Sequence, residues 1–146
     1  MTEFNLRAAV AEDVGAIRGC LAESYAGVRR EIEDLPDVTS GILDDIKERQ
    51  VLIAEDSMCL LGVIIYGEES DAMMIFNLGV SPKAQGRGIA RRLLAAAEKS
   101  AKTGEIQTLR LRTHRLMSDT RAMYRHLGWQ ELEISGNTVL MQKRVT

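Results

Sequence analysis

The stretch that decides the fold reads Met73-Met74-Ile75-Phe76-Asn77-Leu78-Gly79-Val80, then Ser81-Pro82-Lys83-Ala84-Gln85-Gly86-Arg87-Gly88, then Ile89-Ala90-Arg91-Arg92-Leu93-Leu94. Its first part is an apolar run of strand length. Its last part opens a helix, because Ile89, Ala90, Leu93, Leu94, Ala97 and Ala101 make one apolar stripe while Arg91, Arg92, Glu98, Lys99 and Lys102 face away. Gly104 stops that helix. A helix N-terminus leaves about four N–H groups unpaired and carries roughly half a positive charge, so it holds anions. Gly86 and Gly88 remove side chains where a phosphate approaches the backbone, and Arg87, with Arg91 or Arg92, adds charge. A pyrophosphate is the natural guest.

Outward from this segment the chain alternates strands and helices. Upstream, Phe4-Asn5-Leu6-Arg7 reads as a short strand, and Ala11-Glu12-Asp13 leads into a helix carrying Val14, Ile17 and Leu21. Residues 27–39, dense in charge and holding Leu35-Pro36, read as irregular, and Ser40 is the expected cap of a short helix with Ile42, Leu43 and Ile46. Val51–Ala54 and Leu60–Tyr66 form a hairpin around Glu55-Asp56-Ser57, and Glu68-Glu69-Ser70-Asp71 turns into the central strand. Downstream, Leu109–Thr113 alternates as a strand. Ser118 or Asp119 is expected to cap a helix whose Thr120, Met123, Tyr124 and Leu127 share a face and which Gly128 ends. Glu131–Ile134 and Thr138–Met141 close the chain as a hairpin about Ser135-Gly136-Asn137. The order β-α-α-β-β-β-α-β-α-β-β predicts one α+β, mixed α/β domain over residues 1–146, with helices on both faces of a sheet of about seven strands.

Composition narrows the partners. Of the 146 residues, 19 are Lys or Arg and 21 are Asp or Glu, a net charge of −2, so no bulk basic charge favours nucleic acid or an anionic membrane. No window has the roughly 18 uncharged apolar residues of a membrane span, and the first residues lack a signal-peptide pattern, so a cytoplasmic protein is expected. Cys20 and Cys59 stand alone with no metal-ligand spacing; reduced thiols and no metal site are expected, with Cys59 a small buried apolar group at a strand start.

The glycine loop is not a Walker loop, since no Gly-Lys-Ser/Thr follows it, and it is not a dinucleotide fingerprint, which needs Gly or Ala at Arg91. What remains is Gln85-x-x-Gly88-x-Ala90. This resembles the cofactor signature of the GNAT N-acetyltransferase superfamily, Gln/Arg-x-x-Gly-x-Gly/Ala. Further resemblance lies in Met123-Tyr124-Arg125-His126-Leu127-Gly128-Trp129, similar to the family's Leu-Tyr-x-x-x-Gly-Phe, and in Leu6-Arg7-Ala8-Ala9 with Glu12-Asp13 at the first strand and helix entry. The likeness covers nearly the whole chain.

That resemblance implies a twisted sheet splayed between its fourth and fifth strands, the one ending at Val80 and the one ending near Thr113, with acetyl-CoA in the opening. It implies that backbone groups of Leu78, Gly79 and Val80 hold the pantetheine arm and that amides of Gln85, Gly86, Arg87, Gly88, Ile89 and Ala90, with Arg91 nearby, hold the pyrophosphate. It implies direct attack of a small-molecule or peptide amine on the thioester, the Val80 amide polarising the carbonyl and Tyr124 protonating the departing thiolate. A phenol of pKa about 10 facing a thiol of about 8.5 must be positioned to do so. The plain alternatives are a packed ring for Tyr124 and a packing contact for Gly79, which otherwise marks a bulge or a close ligand approach. Met117 stands where many members carry Asn, with Ser118 or Asp119 as local substitutes. No base identifies itself. Glu31, Glu33 and Asp34 are candidates for an amine-binding mouth, although a charge run is usually a solvated face. His114 is a candidate relay, more often a structural histidine, and His126 falls off the Tyr124 face. Dimerisation through the last strands is one further expectation. A non-catalytic acyl-CoA sensor on the same scaffold and an unrelated nucleotide-binding domain are the competing classes.

Overall fold

In the computed structural model, residues 3–31 and 41–145 are described. The order is β1 (Asn5–Ala8), a 3₁₀ turn (Ala11–Asp13), α1 (Val14–Glu31), α2 (Ile42–Glu48), β2 (Gln50–Glu55), β3 (Leu60–Glu69), β4 (Ala72–Val80), a second 3₁₀ turn (Pro82–Ala84), α3 (Ile89–Thr103), β5 (Thr108–His114), α4 (Ser118–His126), β6 (Gln130–Ser135) and β7 (Thr138–Arg144). The seven strands form one sheet in the order β1-β2-β3-β4-β5-β7-β6. Every neighbouring pair is antiparallel except β4–β5, which the α3 crossover makes parallel.

The apolar continuity of β2, β3 and β4 has a direct cause in the two cores. On one face α1 and α2 bury Ile17, Leu21 and Ile42 against Val51, Ile53, Val63 and Ile65. On the other, α3 and α4 bury Ile89, Leu93, Ala97 and Tyr124 against Ile64, Ile75, Leu111 and Met141. Strands covered on both sides have no polar face to show. Gly62 lets α3 come close: a Cβ there would sit 2.8 Å from Ile89 Cγ2 and 3.1 Å from the Gly79 carbonyl oxygen. That seats the start of α3 directly against β3.

Two irregularities shape the site. Pairing of β4 with β5 covers only Met73↔Leu109, Met74↔Arg110 and Ile75↔Leu111, after which β4 runs on to Val80 and β5 to His114 as a wedge. The β3–β4 register steps from Ile65↔Asn77 to Tyr66↔Ile75, so Phe76 is the extra residue of a bulge.

Several expectations change. Helix α1 continues through Gly27 to Glu31, because Arg and Glu propagate a helix well even where their density suggests a loop. The Ser40 cap and the Glu33 and Asp34 mouth fall outside the described residues, as does the side chain of Glu31. Neither Ser118 nor Asp119 caps α4; Met117 holds that position with no side-chain cap bond, since the Met117 N–H to His114 oxygen turn starts the helix one residue early. Cys59 is exposed, not buried: it belongs to the β2–β3 turn, its N–H held by Asp56 Oδ1 at 2.9 Å. The bulge lies at Phe76 and not at Gly79. A Cβ on Gly79 would meet Ser24 Oγ at 2.7 Å and Leu21 Cδ2 at 2.8 Å, so this glycine admits α1 to the sheet.

Candidate active site

The wedge between β4 and β5 is a cavity of about 500 Å³ reaching from the α1 face of the sheet to the α4 face. Register determines what β4 offers it. Ser81 N–H bonds the Leu61 oxygen at 2.8 Å, and antiparallel pairs alternate between bonded and non-bonded. Gly79↔Val63 is therefore a bonded pair, while Leu78↔Ile64 and Val80↔Gly62 are not. The N–H and C=O of Leu78 and Val80 consequently turn away from β3, toward the gap that β5 has vacated. Gly79 lines the cavity but spends its backbone groups on Val63.

At the opposite end lies the glycine loop. Gly86 has φ +82° and Gly88, the N-cap of α3, φ +76°, a region that costs an L side chain about 1–2 kcal/mol. A Cβ at either would meet no protein atom within 4 Å. The glycines thus satisfy a turn and leave open space in front of the first α3 amides. Gln85, Gly86, Gly88, Ile89, Ala90 and Arg91 all line the cavity. The Arg87 side chain does not join them; its Nη1 lies 3.8 Å from Asp56 Oδ2 and its guanidinium 5.9 Å from the Phe4 ring. Charge from this loop thus comes through Arg91.

Tyr124 reaches the cavity from α4 with its ring buried, edge-on to Trp129 at 5.4 Å between centroids. Burial, with Tyr25 nearby adding to it, pushes its phenol well above the ordinary value, so the proton stays on the oxygen at neutral pH. Tyr25 lines the cavity from α1, donating to Asn77 Oδ1 at 3.2 Å, with the Leu78 oxygen 3.4 Å away. Met117 also lines it, its sulfur 3.7 Å from Thr113 Oγ1; Asp119 is beside it and Ser118 is not. His114 is buried in the β5–α4 turn, with Nδ1 accepting the Leu116 N–H at 3.1 Å. That bond makes it a staple for the turn. His126, set aside on spacing, borders the cavity.

Tyr25, Asn77 and Arg112 are cavity residues that the sequence reading passed over. A signal existed for the first: Ile17, Leu21 and Tyr25 recur every fourth residue, which puts Tyr25 on the sheet-facing side of α1. Asn77 shares a face with Phe76 only because of the bulge, which no local pattern announces.

The profile of the Acetyltransferase (GNAT) domain matches residues 47–131. This chain belongs to the GNAT acetyltransferase family. It is an N-acetyltransferase, and the family relation makes acetyl-CoA its acetyl source. The fold agrees with solved structures. PaiA N-acetyltransferase from Thermoplasma acidophilum, in complex with coenzyme A, superposes with TM-score 0.80 at 22% identity, over 97% of this chain and 99% of that one. The ribosomal-protein-S18-alanine N-acetyltransferase from Escherichia coli gives 0.80 at 15% identity, over 99% and 95%. A putative GNAT acetyltransferase from Desulfovibrio desulfuricans gives 0.82 at 15%, over 99% and 100%. A search of curated protein sequences found no match. The residues present suit coenzyme A: open space before helix amides for the phosphates, Arg91 for their charge, and strand edges at Leu78 and Val80 that β5 does not pair for an amide-bearing arm.

Proposed function

We propose that this enzyme moves an acetyl group from acetyl-CoA to a primary amine by direct attack, with both substrates in the wedge together. Acetyl-CoA, when bound, supplies a thioester carbonyl. The amides of Gly86, Gly88, Ile89 and Ala90, with Gln85 and Arg91, take the pyrophosphate. Leu78 and Val80 extend sheet-like bonding to the pantetheine arm. The Val80 N–H stabilises the negative charge that builds on the acyl oxygen, as an oxyanion donor does. Tyr124 O–H, placed at the side of the cavity, gives its proton to the departing thiolate, and the proton shed by the attacking nitrogen restores the phenol.

The single observation that carries this reading is the pairing of β4 and β5, which ends at Ile75↔Leu111 while both strands continue. It leaves the backbone groups of Leu78 and Val80 without a strand partner on the β5 side, the Leu78 oxygen meeting only the Tyr25 hydroxyl at 3.4 Å among the described hydrogen bonds, in a cavity that has helix amides at one end and a buried phenol at its side.

Two measurements test it. Calorimetry with coenzyme A should show one site per chain, weakened by Gly86→Ala or Gly88→Ala beyond their backbone cost. A thiol-release assay with acetyl-CoA and a panel of primary amines should show turnover. Binding with no turnover on any amine would point instead to an acyl-CoA sensor, and no binding at all would end the proposal.

A further inference from the structure

The wedge has two mouths of different chemistry. The one between α3 and α4 has the glycine loop and Arg91. The one on the α1 face has Tyr25, Phe76, Asn77 and Arg112. Arginines are present at both mouths, while the one carboxylate among the described cavity residues, Asp119, comes from α4. An arginine at the phosphate mouth is accounted for by the phosphates. One at the other mouth is not.

The placement of Arg112 follows from strand alternation. Leu109 and Leu111 pack into the α3-side core, so Arg110 and Arg112 project from the opposite face, the side of α1. There Arg110 Nε donates to Gln142 Oε1 at 3.0 Å and is committed. Arg112 Nη2 lies 3.6 Å from Glu69 Oε1, beyond hydrogen-bond distance, and the two side chains are 56% and 41% exposed. An exposed ion pair of that kind is weak, so a substrate carboxylate that reaches the guanidinium fork with two bonds displaces it. The wall alongside is aromatic and cationic as well: Arg49 stacks 3.5 Å over the centroid of the Phe76 ring.

We infer that the acceptor enters from the α1 face and carries a carboxylate near its amine. Arg112 holds the carboxylate, and Tyr25, whose O–H is turned to Asn77 Oδ1, presents its oxygen to the amine N–H. The substrate class is then an amine with a neighbouring carboxylate, from a free amino acid or from a peptide with an acidic residue at its amine end. The inference rests on the acetyl-transfer reading above.

The experiment uses matched acceptors with the full chain. One arm compares free α-amino acids with their α-amides; the other compares peptides beginning with Asp and with Asn. For wild type, kcat/KM should favour the carboxylate member of one arm by about tenfold or more, the scale of a charge-assisted bond. The arm that shows the preference identifies the source. In Arg112→Gln the ratio should collapse toward one, chiefly through KM, while coenzyme A affinity by calorimetry stays at the wild-type value. Arg112→Lys, which keeps charge but loses the fork, should retain part of the ratio. Equal rates for both members in both arms, or a preference that survives in Arg112→Gln, would overturn the assignment. Failure of the parent reading looks different: no thiol release with any acceptor.

Discussion

Replacing Gly79 by alanine separates two meanings of a glycine in a strand beside a cofactor cleft. If the site required close approach of a ligand, Gly79→Ala would leave stability alone and remove coenzyme A binding. The structure says otherwise. The added methyl would lie 2.7 Å from Ser24 Oγ and 2.8 Å from Leu21 Cδ2, where ordinary contact begins at 3.4 Å. Either these side chains or α1 behind them must therefore give by roughly 0.7 Å; the Ser24 hydroxyl can turn, but the Leu21 tip is fully buried, and overpacking of that kind costs about 1–3 kcal/mol. For a chain of this length each kcal/mol lowers Tm by about 2–4 °C, so a drop of roughly 3–10 °C is expected in a thermal melt followed by circular dichroism. Ser24→Ala in the same chain should recover part of the loss, because it removes the nearest atom and leaves the Leu21 contact. The two changes should couple by about 0.5 kcal/mol or more in a double-mutant cycle. A Gly79→Ala protein that melts with wild type yet fails to bind coenzyme A would refute the packing argument and restore the ligand-approach reading.

Three further outcomes are expected. Tyr124→Phe should lower kcat by about 100-fold or more while coenzyme A affinity changes little, as a lost general acid does; an unchanged kcat would leave the residue with a packing role only. Asp13 is bonded by the Arg7 guanidinium at 2.9 Å and by the Val10 N–H, which hold its carboxyl below the usual range. A depressed folded pKa means the stabilisation is present above the unfolded value near 4 and is lost as pH falls through the folded one. Urea midpoints should therefore fall on the acid side, with a shallower acid limb in Arg7→Gln. Finally, the native protein should react with a thiol reagent at one fast cysteine, the exposed Cys59. Cys20 is buried, its thiol pushed up to about 11, and should react only on unfolding. A fast thiol remaining in Cys59→Ser would contradict that placement.

Legibility varied with the range of the interaction behind each feature. The α3 stripe from Ile89 to Ala101 and the Gly86 and Gly88 turn are products of a few neighbouring residues, and both stand where the pattern put them. Helix α1 overran its expected end, since nothing chemical separates Arg29-Arg30-Glu31 in a loop from the same residues on a helix. The Arg87 case shows the limit differently. The guanidinium belongs to the right loop, but Asp56 on the β2–β3 turn, far away in sequence, draws it from the cavity.

The residue pattern alone determined an α/β chain with helices on both sides of its strands and a backbone built to take a phosphate, because periodicity and glycine placement act over a turn or two. Tertiary structure decided where β4 leaves β5, which backbone groups that departure frees, and that Tyr25, Tyr124 and Arg112 border one cavity. Those facts depend on hydrogen-bond register and on α1 docking against Gly79, which arise only when segments about 50 residues apart pack together.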